Sequence, residues 1–278
     1  MGKISTRKAR LYEEYQIINE DTYLIRTKTP ALTKLPAGAY KAYRDYWGSL
    51  LIESLDMVSD ELLDLDGSVA TTVLKDIKDF CQSKTKAKYK KGNFLYKRGV
   101  LLYGPHGAGK SSVIAQVVKD AIENDYIVLM EPDPHDLRQI MDAVRDVEYD
   151  RFAVVVWEDL DQWISHSETS ILSLLDGRTQ IENVLYLATT NYLDKIPPRI
   201  KNRPSRFAKV VEIGLPGETQ RSAFLKAKLG QEDAWMLELL TQLSKGMSFD
   251  ACKELVLLVT VYDIDPEEAA KQIKNIGR

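Results

Sequence analysis

The sequence predicts an α/β fold: a parallel sheet flanked by helices, followed by a small all-helical lid subdomain and preceded by a small N-terminal extension. Three observations carry this. Five short, nearly continuous apolar runs, at residues 100–103, 126–130, 152–157, 184–188 and 209–213, alternate with stretches of helical periodicity. Strands without polar alternation are buried on both faces, as in a parallel sheet covered by helices. After Pro216 the strand-like runs stop, and residues 218–229, 234–245, 249–262 and 266–276 all read as helices. Between the first apolar run and the helix after it lies a glycine-rich turn, Gly104-Pro-His-Gly-Ala-Gly-Lys110-Ser111. The expected divisions are 1–65 for an N-terminal recognition region, 66–215 for the αβ part and 216–278 for the helical lid.

Taken from the N-terminus, residues 15–18 and 22–26 look like two short strands around an Asn-Glu-Asp turn. Tyr40, Tyr43, Tyr46 and Trp47 then recur at helical spacing, which reads as a buried helical face, with a partner-binding face as the alternative. Residues 69–80 form an amphipathic helix with Val69, Val73, Ile77 and Phe80 on one side. The stretch from Lys84 to Arg98 contains no acid and interleaves lysines with aromatic rings. It reads as a solvated connector. The alternative is a nucleic-acid partner gripped by phosphate contacts and base stacking. Candidate helices at 110–124, 137–147 and 168–175 separate the later strands.

Net charge is −3, with 28% charged residues, so global charge gives no push toward nucleic acid or acidic membrane. Cys81 and Cys252 are far apart and fit no ligand spacing, which points to free thiols in a reducing compartment. His106, His135 and His166 form no metal pattern. No apolar run approaches the ~20 residues of a membrane span, and no secretory signal opens the chain. The expectation is a cytoplasmic protein without membrane insertion.

The glycine-rich turn has the pattern GxxxxGK[ST] in a strand–loop–helix context, the signature of a phosphate-binding loop. Gly104, Gly107 and Gly109 let the backbone curl so that its N–H groups face phosphate oxygens, and the helix N-terminus adds partial positive charge. Lys110 is placed for the β and γ phosphates and Ser111 for Mg²⁺. The expected cradle for ATP is Gly104, Pro105, His106, Gly107, Ala108, Gly109, Lys110, Ser111 and Ser112. The third strand runs into Glu158-Asp159. Two adjacent acids leaving a strand end can divide two jobs, Glu158 serving the metal with Ser111 and Asp159 the attacking water. Asn191 ends the next strand, in register with the other two ends, and is the candidate contact to the γ-phosphate and the water. Arg203 and Arg206, in a proline-rich loop, are candidates for stabilising charge on a transferring phosphoryl group, sometimes from a neighbouring subunit.

Together these residues resemble the AAA family of ring-forming ATPases. The similarity covers about residues 69–273 and rests on GPHGAGKS, VVVWEDLD, LLDG from Leu174, ATTN from Ala188, and RPSRF from Arg203, where the family's usual string is RPGRF. The resemblance implies a P-loop NTPase fold, Mg²⁺-dependent ATP hydrolysis, and a homo-oligomeric ring of roughly six or seven subunits acting on a protein substrate. It also implies Asn191 as a sensor of the γ-phosphate and Arg203 and Arg206 as residues reaching the next subunit's nucleotide. Within the family, DIKDF from Asp76, YKRGVLLYGPHGAGKSS from Tyr96, TTNYLD from Thr189 and the Glu-Asp order at 158–159 resemble the Rieske-protein-translocase-like subgroup. That subgroup has a membrane helix before its ATPase part. Peptide-threading relatives carry an aromatic–apolar–glycine loop after the second strand, whereas here Met130 is followed by Glu-Pro-Asp-Pro-His135. The segment 161–167 is short for a second pore loop, although Trp163 could project from it, and Ser248-Phe-Asp-Ala251 departs from the usual Ser-Gly-Ala-Asp. The function classes in view are a protein-remodelling ATPase, a nucleic-acid-associated loader, and a nucleotide-gated scaffold with slow hydrolysis.

Overall fold

The structure is a computed structural model, and it describes residues 14–19, 22–26, 33–56, 69–230 and 234–276. Its strands are β1 (Glu14–Asn19), β2 (Thr22–Arg26), β3 (Gly38–Arg44), β4 (Leu50–Leu55), β5 (Lys97–Tyr103), β6 (Ile127–Met130), β7 (Ala153–Trp157), β8 (Val184–Thr190) and β9 (Lys209–Glu212). The helices are α1 (Val69–Cys81), α2 (Ser83–Lys91), α3 (Lys110–Glu123), α4 (Leu137–Val147), α5 (Leu160–Asp176), the single turn α6 (Pro198–Lys201), α7 (Glu218–Leu229), α8 (Ala234–Leu243), α9 (Phe249–Thr260) and α10 (Pro266–Ile276).

Among the described residues the strands form one sheet in the order β1-β2-β4-β3-β6-β7-β8-β5-β9. From β3 to β9 every neighbouring pair is parallel, and β4, β2 and β1 continue the sheet antiparallel. The core strands are apolar because both faces are covered. Alternate residues of β5 divide between them: Leu101 packs on the side of α4 and α5, and Val100 and Leu102 on the side of α1 and α3. Trp157 ends β7 fully buried, stacked on Tyr186 at 5.7 Å, with its indole N–H donating to the Pro132 carbonyl at 2.9 Å. That anchor holds the end of β7 where Glu158 and Asp159 leave the sheet. A third core, built from Leu225, Leu240, Leu255 and Ala269, lies within α7–α10, the expected helical lid.

The N-terminal strands extend the sheet itself: β3 hydrogen-bonds alongside β6 and carries β4, β2 and β1 with it. The basic stretch, expected as a solvated connector, forms α2, all of whose residues are at least partly exposed, and then the start of β5. Two expectations need correction. The tyrosine stripe is not helical. Tyr40 and Ala42 are buried by the two-residue alternation of β3, while Tyr46 and Trp47 stand exposed in the turn before β4. The loop expected at 161–167 is the first half of α5, broken by non-helical dihedrals at Ser167, and Trp163 packs partly buried against the core instead of projecting. No described helix is long and apolar enough to cross a membrane.

Candidate functional site

The site gathers at the carboxyl edge of the parallel strands, where α/β folds place their ligands. The loop after β5 turns through left-handed backbone at Gly107 (φ +67°) and Gly109 (φ +102°), with Gly104 at φ +148°. A Cβ at Gly104 would run into the Ile213 carbonyl oxygen, so the close pass of the loop over the end of β9 requires glycine there. A Cβ at Gly107 would meet the Ser248 hydroxyl at 2.7 Å and the Asp250 carboxylate at 2.8 Å. The lid therefore rests directly on the loop, and the Phe249 N–H donates to the Gly107 carbonyl at 2.9 Å.

Lys110, the first residue of α3, is 8% exposed. Its ammonium donates to the carbonyls of Gly104 and Pro105, each at 2.8 Å, which fixes it beneath the loop. Burial lowers its pKa, and the carboxylates of Asp159, Asp250 and Glu158 act in the opposite sense. The Ser111 hydroxyl donates to Glu158 Oε2 at 2.8 Å, so the two residues expected to serve the metal are in contact. Hydroxyl and carboxylate oxygens suit a hard cation such as Mg²⁺. No group of three or more His, Cys, Asp and Glu among the described residues makes a cage on its own. An ion here would complete its coordination with phosphate and water oxygens, as Mg²⁺ usually does.

Asp159 sits in left-handed backbone, φ +46°, a conformation that costs a non-glycine residue about 1–2 kcal/mol. The end of β8 holds it there. Its N–H donates to the Thr189 hydroxyl at 3.3 Å, and its Oδ1 accepts from the Asn191 side-chain amide at 3.0 Å. Thr190 in turn donates to Asp161 at 2.7 Å. Glu131, at the end of β6, is a third carboxylate on this edge, also at positive φ (+47°). Its pKa is raised by burial and then by the charges of Glu158 and Asp159, with Lys41 opposing. Beside the loop a cavity of about 830 Å³ runs between α1 and the lid. It is lined by Ala108, Gly109, Ser111 and Ser112 on one side and by Phe224, Phe249 and Asp250 on the other. Pro105 and His106 stand exposed at the loop's outer side, with the His106 ring edge-on to Tyr192 at 6.1 Å.

The arginines are elsewhere. Their loop precedes β9, and Gly99 touches the Arg206 carbonyl closely enough that a Cβ would not fit between them. From Gly99 to Gly104 the strand rises roughly 17 Å at about 3.3 Å per residue, further than an arginine side chain extends. The two also differ. Arg206 has only 11% of its side chain exposed, lies 3.4 Å from Asp176 and donates to the Arg199 carbonyl. Arg203 is exposed and has no side-chain hydrogen bond or ion pair among the described residues. In the basic stretch, Tyr89 and Tyr96 pack against Phe80, at 5.9 and 4.7 Å between rings, so these rings serve the core and are not free to stack bases.

Sequence reasoning placed Lys110, Ser111, Glu158, Asp159 and Asn191, and the structure brings them together. It missed Thr189, Glu131 and the lid residues Phe249 and Asp250. The unusual Ser-Phe-Asp-Ala string was the signal for the last two, and Glu131 had none.

The fold and this edge define a P-loop nucleotide-binding architecture. Sequence comparison adds a family resemblance: residues 100–215 match the family described as "ATPase family associated with various cellular activities (AAA)". It is 32% identical over 154 residues to the ATPase family gene 2 protein of Schizosaccharomyces pombe, covering 49% of this chain and 19% of that protein. It is 27% identical over 212 residues to a Cell division cycle protein 48 homolog of Archaeoglobus fulgidus, covering 64% and 28%. It is 29% identical over 173 residues to a proteasome-activating nucleotidase of Saccharolobus islandicus, covering 54% and 44%. The matches thus span less than half the length of these curated relatives.

Proposed function

We propose that this protein is an ATP hydrolase that assembles into a ring of roughly six or seven copies and remodels a protein partner. One observation carries the reading. The phosphate loop and the acids share one edge of the sheet, while the arginine loop lies at the other end of β5, so only a second copy can complete the pocket. Bound ATP with Mg²⁺ supplies the labile phosphoryl group and its counter-charge. The chain's own residues do the rest. The loop's N–H groups and Lys110 would hold the phosphates, and Ser111 and Glu158 would hold the metal. Asp159, oriented by Asn191, holds the attacking water, and Arg203 or Arg206 from the next copy meets the developing charge. The lid contact from Phe249 to Gly107 couples loop geometry to the α7–α10 unit, the route by which nucleotide state would move a partner. Within the family, the strings around Asp76, Tyr96 and Thr189 favour a place in the Rieske-protein-translocase-like subgroup.

The test is Asp159→Asn, which keeps the hydrogen-bonding shape toward Asn191 and removes the charge. The variant is expected to bind ATP with wild-type affinity and to lose at least ~10²-fold in turnover. Asp is one methylene shorter than Glu, and misplacing a catalytic group by about 1 Å can cost ~10²-fold. If the wild type turned over no faster than Asp159→Asn, the slow nucleotide-gated scaffold would be the correct reading.

A further inference from the structure

The turn between β3 and β4 holds two of the most exposed large side chains among the described residues, Tyr46 at 93% and Trp47 at 85%. Their rings meet edge to face at 5.3 Å. Such exposure in a loose loop would mean little, but this turn is built. The Asp45 carboxylate accepts from the N–H groups of Trp47 (2.9 Å) and Ser49 (2.7 Å). The Asp45 N–H donates to the Ser49 carbonyl and the Gly48 N–H returns to the Asp45 carbonyl. Arg44 donates to the Gly48 carbonyl at 2.7 Å and clamps the turn to Asp136 and Gln139 at the start of α4. A turn with this many hydrogen bonds, holding two rings in water, keeps apolar surface exposed at a standing cost, which marks a contact site.

Its position ties it to the nucleotide edge. β3 runs parallel to β6, pairing Tyr40 with Leu129, and continues past the end of β6 beside Glu131. Glu131 feels the charges of Glu158 and Asp159, and Lys41 of β3 acts on Glu131. The surroundings are acidic. Among the described side chains, Asp45 in the turn and Asp133 and Asp136 beside it at the start of α4 stand against Arg44, which is paired with Asp136. Carboxylates around exposed aromatic faces repel phosphate and attract cations that can also rest on the rings.

We propose that Tyr46 and Trp47 form the partner-contact tip of this protein, and that the partner is an extended protein segment carrying Lys or Arg beside apolar residues. The proposal rests on the protein-remodelling reading and names the partner's chemistry and where it is gripped. The charge pattern argues against nucleic acid and anionic membrane at this tip.

The experiment measures fluorescence anisotropy of a labelled alternating Leu-Arg peptide against the full chain with ATP and Mg²⁺. The parallel probes are a Leu-Glu peptide, an oligothymidine and phosphatidylserine vesicles. The Leu-Arg peptide should bind the wild type. Trp47→Ala should weaken it about 30-fold, the loss typical of an aromatic anchor, Trp47→Phe should recover most of it, and ATP turnover without peptide should not change. Equal affinity for wild type and Trp47→Ala, or ring-dependent binding of the oligonucleotide, the vesicles or the acidic peptide, would overturn the proposal. A chain that binds the basic peptide through the rings but hydrolyses no ATP overturns the hydrolase reading alone. One that hydrolyses ATP but binds the peptide without the rings overturns this proposal alone.

Discussion

Arg203 and Arg206 are two candidates for one task, and their surroundings separate them. Arg206 is tied to Asp176 and the Arg199 carbonyl with 11% of its side chain exposed, so Arg206→Ala removes internal contacts and leaves Asp176, 28% exposed, without that partner. A destabilisation of about 1–2 kcal/mol follows, or roughly 2–8 °C in a chain of this size. Arg203 is exposed and unengaged, so Arg203→Ala should stay within about 0.5 kcal/mol of the wild type. Yet a cation reaching a phosphoryl group in trans contributes about 10³-fold or more to turnover, about 4 kcal/mol at 1.36 kcal/mol per tenfold. Arg203→Ala is therefore expected to lose hydrolysis without losing stability, while Arg206→Ala loses stability whatever it does to hydrolysis.

The trans assignment has its own arithmetic. Asp159→Asn subunits lack the water-orienting acid but keep Arg203, and Arg203→Ala subunits are the reverse. In rings assembled at random from equal amounts, about a quarter of sites pair an intact acid with a neighbour's intact arginine, so a mixture of two dead proteins should regain about a quarter of wild-type turnover. The assay is steady-state phosphate release after co-expression or subunit exchange. A mixture no more active than its parents would refute action across the interface, and with it the argument drawn from the length of β5.

Three further outcomes follow from the same geometry. Gly107→Ala should destabilise by about 2 kcal/mol, from left-handed alanine and the lost Phe249–Gly107 hydrogen bond, while Gly104→Ala, which collides with the main chain at Ile213, should cost more; thermal melts that rank them the other way would contradict the loop geometry. Glu131 has a raised pKa in the folded chain, so the native state holds its proton more tightly and stability falls as pH rises from the unfolded value through the folded one. Glu131→Gln should therefore melt higher than the wild type at pH 7, with the gap closing toward pH 4.5, and an unchanged gap across that range would refute a carboxyl held above its usual range by burial and by its acidic neighbours. Lys110→Met removes the ammonium under the loop and should abolish nucleotide binding by calorimetry while the fold, read by circular dichroism, persists.

What was legible in the sequence and what was not divides along one physical line. Gly104 to Ser111 are contiguous, and their conformation is set by glycine dihedrals and a helix start, so the motif could be read directly. Glu158, Asp159 and Asn191 were legible because each follows an apolar run, and parallel strands bring their carboxyl ends to one edge whatever their spacing in the chain. The tyrosines misled because residues 40, 43, 46 and 47 satisfy a helical period by position, whereas a strand that turns at Asp45 buries Tyr40 and strands the last two in water. The attachment of β3 to β6 had no local signal, since parallel pairing across more than eighty residues leaves no mark in either strand alone. Nor could sequence separate Arg203 from Arg206, because the difference lies in Asp176, at the end of a helix belonging to another motif. A motif specifies which side chains are available; only the long-range packing decides which of them is already engaged. A free guanidinium at the far end of β5 is useless to its own chain, and that is the strongest physical reason to expect this molecule to work in company with copies of itself.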